Sequence, residues 1–310
     1  MNNFLLFAVV NLTLVLLLSP LYISVIKKVK AIIQGRRGPS ILQTYRNIFK
    51  LLKKESIYSY NSSCIMRLAP YVDFTGSLLL SLFVPLIFIP NTSNAFGNII
   101  LFLYVLMLTK FFIALSGLDA GSTFGGMGSS REMSVSAIIE PTIILVFAAV
   151  AFSFDSINFF EIIKGSLLSQ NHIFLWLLFI PFIIILITES SRIPVDNPET
   201  HLELTMIHEA MILEQSGKNL ALVEWSSAIK QLVLMGIIIN LFVPIGITTS
   251  MQLMPLFIAV ITFIVKSMLF AIGIGIFESN IAKLRFFRLS NLFAMSYFLS
   301  FITILIEVLL

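Results

Sequence analysis

Residues 4–26 read FLLFAVVNLTLVLLLSPLYISVI and are followed at once by Lys27, Lys28 and Lys30. An uncharged apolar run of this length can cross a bilayer core of about 30 Å as a helix, and the cations behind it mark the side on which it ends. No small-residue cleavage site precedes the basic stretch, so the run reads as a retained first helix. Working outward from it, apolar windows of the same kind recur near 72–90, 97–118, 133–154, 172–188, 219–248, 253–277 and 291–309. The expectation is an all-α polytopic membrane protein with about eight transmembrane helices, forming a single integral membrane domain over 1–310.

Composition agrees with that expectation. The chain is 58% hydrophobic and 12% charged, far from the balance of a water-soluble domain, and its 29 Phe supply lipid-facing mass rather than low-complexity sequence. A lone cysteine, Cys64, excludes an internal disulfide, and it excludes an iron-sulfur cluster or thiolate-held nickel-iron centre carried by this chain alone. The three histidines, His172, His201 and His208, are not placed to face one another in mid-membrane, which argues against a bis-histidine haem.

Basic residues set the expected orientation. Ten Lys/Arg lie between the first two spans, and Arg131, Arg192, Lys218, Lys283, Arg285 and Arg288 fall on the same side, against Lys164 on the other. The positive-inside rule then places both termini outside and the basic loops in the cytoplasm, in a multi-pass protein of the cell (inner) membrane. Within the first cytoplasmic loop, Ile41, Leu42, Tyr45, Ile48, Phe49 and Leu52 recur at helical spacing, with Arg46, Lys50, Lys53 and Lys54 around the polar side. That pattern predicts an interfacial amphipathic helix, either resting on headgroups or serving as a docking ledge for a soluble partner.

Charges inside hydrocarbon cost at least a few kcal/mol each, so Lys110, Glu140, Glu224, Lys230 and Lys266 need protein or water around them. For Lys110 and Lys266, snorkelling to the headgroups is the competing account. Glu140 lies inside the fourth span and is followed by Pro141, which removes a backbone hydrogen bond and opens room for a polar pocket; a carboxyl there suits reversible protonation.

A second concentration of ionisable groups runs from Glu189 to Gly217. Asp196 or Asn197 can cap a helix beginning at Pro198, Glu199 sits in its favourable first turn, and Gly217 is a natural stop. On such a helix Glu199 and Glu203 are neighbours, His201 and His208 share a face, and Glu214 follows near the end. An ordinary solvated loop is the plainer alternative. His208-Glu209 begins like a zinc-protease signature, but Ile212 stands where the second His would be, so that reading fails; His201, His208 and Glu203 as a metal site is a remote alternative. The glycine-rich stretch 121–131 lacks the Lys-Ser/Thr of a phosphate loop and reads as a tight cytoplasmic connection, with Asp119, Arg131 and Glu132 as pairing charges.

Three motifs together resemble the subunit 1 family of respiratory complex I and the related membrane component of group 4 nickel-iron hydrogenases, including formate hydrogenlyase. They are GRRGPSILQTYRNIFKLLKKE at 35–55, SVSAIIE at 134–140 and the acidic stretch 189–217. The stretch 192–214, RIPVDNPETHLELTMIHEAMILE, is similar to the hydrogenase branch and departs from the complex I pattern in both the first loop and the acidic loop.

The resemblance implies a membrane-anchoring and proton-coupling subunit of a formate hydrogenlyase-like complex. Its implied proton path takes in Glu140, Glu199, Glu203 and Glu214, to which His201, His208, Lys110, Glu224 and Lys230 are added from this sequence. Arg36, Arg37, Arg46, Arg192 and Asp196 are the residues expected at partner docking. Iron-sulfur clusters and the nickel-iron centre are expected on partner subunits and none on this chain. The implied partners are hydrogenase large and small subunits, a ferredoxin-like subunit, antiporter-like membrane subunits and the lipid bilayer, with no nucleic acid. Two alternatives stay open: the corresponding membrane component of an NADH-quinone oxidoreductase (complex I), lining its quinone chamber, and, from another class, a stand-alone ion transporter or an inert anchor. No internal repeat of the transporter kind is present.

Overall fold

The computed structural model describes residues 2–90, 96–168, 173–197, 206–249 and 252–309. Its helices are α1 (Asn2–Ile33), α2 (Gln43–Leu52), α3 (Cys64–Phe83), α4 (Ile99–Asp119), α5 (Thr123–Phe154), α6 (Phe159–Leu168), α7 (Phe179–Glu189), α8 (His208–Ile212), α9 (Gly217–Phe242), α10 (Leu253–Asn280) and α11 (Phe286–Leu309). A 3-10 turn over Ile173–Leu178 leads into α7. Among the described residues α1, α4, α5, α9, α10 and α11 contain segments long and apolar enough to cross a membrane, and the run Leu175–Glu189 is a shorter apolar helix. The chain is a multi-pass membrane protein.

α9 is the central post. Every residue from Ala228 to Phe242 is buried, as expected of a helix apolar on all sides. α1, α2, α3, α6, α7 and α10 all pack on it. α5 instead packs on α4, α8 and α11.

Several boundaries differ from the sequence expectation, each for a local reason. The second span is not 72–90: α3 starts at Cys64, capped by Ser63 Oγ accepting from the Ile65 N–H, and ends at Phe83 because Pro85 disfavours helix at the residue before it. The chain then runs extended, and its carbonyls are not left bare. Asn11 Nδ2 donates to Ser81 and Val84, and Asn240 Nδ2 donates to Pro85 and Leu86, so two lone amides in apolar helices satisfy a helix end inside the bundle. α9 likewise stops at Phe242, short of 248, ahead of Pro244.

The glycine-rich stretch 121–131 is not a connection beyond its first residues. Ser122 caps α5 by accepting from the Gly125 N–H at 3.1 Å, and helix runs unbroken from Thr123. The glycines serve packing: a Cβ on Gly128 would lie 2.8 Å from Ala210 Cβ and 2.9 Å from the Ile207 carbonyl, so α8 can sit directly on α5. The three charges flanking the stretch are all engaged. Asp119 accepts from the Ser63 and Met66 N–H groups at the start of α3, Arg131 donates to the Met206 carbonyl, and Glu132 pairs with Lys110.

The single helix expected from Pro198 to Gly217 is also corrected. Residues 198–205 lie outside the described residues, but from Met206 onward there is no continuous helix: α8 spans only His208–Ile212, and a turn separates it from α9. Gly217 starts α9 rather than stopping a helix. It has φ +52°, and a Cβ would fall 2.2 Å from the Glu55 carbonyl, so the first loop packs where a side chain would be.

The close approach at α8 gives a direct test. Gly128→Val is expected to destabilise the protein by about 1–3 kcal/mol through overpacking. Gly126→Ala, which meets nothing within 4 Å, is expected to be neutral or slightly stabilising. Thermal unfolding of both variants in detergent checks the pair.

Candidate functional site: a charged cavity and its branch

At the end of α9 that carries its polar residues, α1, α2, α7, α8, α9 and α10 enclose a cavity of about 170 Å³. Four carboxylates (Glu189, Glu209, Glu224, Glu278) and four cations (Lys27, Lys30, Arg192, Lys230) line it, with His208 and Gln231 between them. α2 forms one wall through Thr44 and Asn47, and Ile48 is buried. The amphipathic helix of the first loop is thus held against protein. Thr44 Oγ1 and Ser24 Oγ lie 2.6 Å apart, and the Tyr45 hydroxyl donates to the Leu17 carbonyl.

Three buried pairings shape the cavity. Arg192, just after α7, donates through Nη1 to Glu278 Oε1 at 2.9 Å and through Nε and Nη2 to Gln231 Oε1 at 3.2 and 2.9 Å. The second oxygen of Glu278 lies 3.8 Å from Lys30 Nζ, so one carboxylate on α10 serves a guanidinium and an ammonium from two other elements. Lys230 on α9 donates to Asp73 Oδ1 on α3 at 2.9 Å, while Ser226 donates to the other oxygen of Asp73. Outside the cavity wall, Asp196 accepts from Lys283 at 2.6 Å and from the Ile207 and His208 N–H groups, tying the start of α8 to the segment before α11.

Glu189 joins the cavity to a branch. It lines the cavity and also accepts from Lys110 Nζ at 3.0 Å, and the same ammonium lies 3.3 Å from Glu132 Oε1. α7, α4 and α5 therefore meet in a triad of one cation and two carboxylates. Beyond it Glu140 is half-buried on α5, eight positions after Glu132, within the electrostatic reach of Lys110, Glu189 and Glu132. The rise per residue puts it about 12 Å further along the helix.

The expected proton-path residues are thus distributed in definite places. Glu224, Lys230 and His208 line the cavity, and Lys110 and Glu140 lie on the branch. Glu214 is half-buried in the turn after α8 and does not line the cavity. Glu199, His201 and Glu203 lie outside the described residues.

Of the expected docking residues, Arg36, Arg37 and Arg46 are exposed, but Arg192 and Asp196 are buried and paired within the chain. Neither can present its charge to a partner while it holds Glu278 or Lys283. Lys266 is not at a helix end: it sits halfway along α10 and donates to the Val243 carbonyl at 3.0 Å.

Asp73, Glu189, Glu278 and Gln231 did not stand out from sequence as site residues. Asp73, like Glu140, is a carboxylate within a largely apolar stretch, but it lies at the edge of the apolar run 72–90. Glu278 follows directly on the apolar run 253–277.

Replacing Lys110 by Met strands two adjacent buried carboxylates. The expected loss is roughly 3–5 kcal/mol, the scale for breaking a buried pair from one side. The triple variant Lys110→Met, Glu132→Gln, Glu189→Gln should recover most of it, because no uncompensated charge remains. Thermal unfolding of both variants reads the difference.

A family model described as NADH dehydrogenase matches residues 5–308. Hydrogenase-4 component C of Escherichia coli K12 is 33% identical over 284 residues, covering 90% of this chain and 88% of its own length. Formate hydrogenlyase subunit 4 of the same organism is 31% identical over 277 residues, covering 86% and 87%. Among solved structures, a chain of the membrane-bound sulfane sulfur reductase, an archaeal respiratory membrane complex, shares the fold with a TM-score of 0.81 at 20% identity, over 98% of this chain and 99% of that one. The buried charges of this bundle therefore belong to a member of the NADH dehydrogenase family of membrane subunits.

Proposed function

We propose that this chain anchors and proton-couples a group 4 nickel-iron hydrogenase complex of the formate hydrogenlyase type. The observation that carries the reading is the row of ionisable groups from the cavity, through Glu189 and Lys110, to Glu132, with Glu140 about 12 Å further along α5. An inert anchor has no use for such a row, since each buried charge costs stability unless it is paired. The hydrogenase branch is supported by the two hydrogenase relatives, each matched along most of its length, and by the motif over 192–214. A cavity of about 170 Å³ walled by charge has room for several waters and suits protons better than an apolar quinone.

The chemistry follows from the count of charges. The Lys110 triad holds one more carboxylate than cation, so either Glu132 or Glu189 can take a proton while the other keeps Lys110 paired. Lys110 can shift its weight between the two oxygens without being stranded. An electrostatic change at the cavity mouth, produced when a docked redox subunit gains or loses an electron, biases which carboxylate is protonated, and the proton moves between cavity and branch.

In this reading the chain crosses the membrane eight times, counting α3 and the short α7. The cavity end faces the cytoplasm, where the basic residues gather, and both ends of the chain face outside. Arg36, Arg37 and Arg46 form the exposed basic surface that meets the peripheral hydrogenase and ferredoxin-like subunits, which carry the iron-sulfur clusters and the nickel-iron centre; antiporter-like subunits adjoin within the bilayer.

Glu189→Gln and Glu140→Gln test the reading in complexes reconstituted into vesicles, with hydrogen evolution and internal pH followed together. Both variants are expected to assemble and to evolve hydrogen, with proton movement per electron reduced about tenfold or more, the scale of a lost proton-transfer group. Unchanged proton movement at unchanged assembly removes these residues from the path.

A further inference from the structure

α7 and α10 both lean on α9, and between them runs a groove of about 540 Å³. Its floor is Ile238, Ile239 and Phe242 of α9; its walls include Phe179 of α7 and Leu269 of α10. Gly273 leaves one wall without a side chain, and a Cβ there would meet nothing within 4 Å, so another backbone can come close. Leu269 is 64% exposed.

Lys266 is the one ionisable residue lining this groove among the described residues. It stands 13 positions after Leu253 and 14 before Asn280, the two ends of α10, which places it about 20 Å from either end and near the middle of a bilayer. Its Nζ donates to the Val243 carbonyl at 3.0 Å. An ammonium has three donors and a full charge, and one neutral carbonyl balances neither.

We propose that the groove seats a transmembrane helix of a partner subunit whose mid-span Asp or Glu pairs with Lys266. Charge complementarity selects this occupant. An acyl chain fills the apolar floor but brings no anion, and a lipid phosphate stays at the surface, roughly 15 Å from the midplane. A helix carrying a carboxylate at mid-depth supplies both the apolar surface and the counter-charge. This inference rests on the reading of the chain as one subunit of a membrane complex.

The test uses the intact complex, purified through a tag on this chain and carrying a benzophenone amino acid at Leu269. The expected adduct maps to a membrane-spanning peptide of a co-purified subunit, with an Asp or Glu within one helical turn of the linked residue. Lys266→Glu should lower recovery of that subunit about tenfold or more, the scale expected when repulsion replaces an interfacial pair, and changing the partner's carboxylate to Lys should restore it. An adduct only with phospholipid, an adduct with a second copy of this chain, or full recovery of the subunit with Lys266→Glu overturns the groove inference. Failure of the two readings is distinguishable: a wild-type chain that purifies alone removes both, whereas a complete complex whose Leu269 adduct is lipid removes only this one.

Discussion

Charge cannot be left alone in a medium of low dielectric constant, and this requirement organises the molecule. Among the described residues four cations at the cavity and its branch are met by carboxylates from elements distant in the chain: Lys110 on α4 by Glu189 and Glu132, Lys230 on α9 by Asp73 of α3, and Arg192 and Lys30 by Glu278 of α10. A hydrophobic contact between two apolar helices in lipid discriminates weakly between rotations and depths, since lipid tails are as apolar as the side chains they replace. An ion pair discriminates sharply. The pairs therefore set which faces meet and at what depth, and the apolar core then packs around that arrangement.

α9 shows how this produces direction. Its first half carries Glu224, Ser226, Ser227, Lys230 and Gln231, and its second half, from Leu232 to Phe242, has Asn240 as its one polar side chain, already committed to two backbone carbonyls. The cavity opens along the polar half and is closed by the apolar one. In the proposed function, a proton entering the cavity has no further ionisable group along α9, and the branch through Glu189 leads sideways into α5. Close packing of α8 on α5 at Gly128, and of the first loop on Gly217, brings the acidic segment against that branch.

Much of the membrane architecture was legible because hydropathy is a local property. The amphipathic helix of the first loop was legible from its spacing, and the intramembrane charges from their cost. Boundaries were less so, and for identifiable causes. Arg67 and Asp73 hid the first half of α3 from a hydropathy window, and glycines that pack a helix closely at 125 and 128 look, in sequence, like glycines that bend a loop. Gly217 is the sharper case: a stop signal by local rules became a start because the Glu55 carbonyl occupies the place of its side chain.

By itself, the sequence determined that the chain crosses a membrane repeatedly, which residues would be expensive there, and, through its motifs, the family to which it is similar. All of these depend on what each residue prefers as a solvent, or on runs of neighbouring residues. The tertiary structure alone decided which expensive residues share a partner: that Arg192 and Asp196 turn inward, that Glu189 belongs at once to the cavity and to the Lys110 triad, and that Lys266 stands at mid-depth in an apolar groove. The physical reason is that a pairing across 79 or 86 positions of chain, as in Lys110–Glu189 and Arg192–Glu278, is a property of distance in space, and no local preference encodes it.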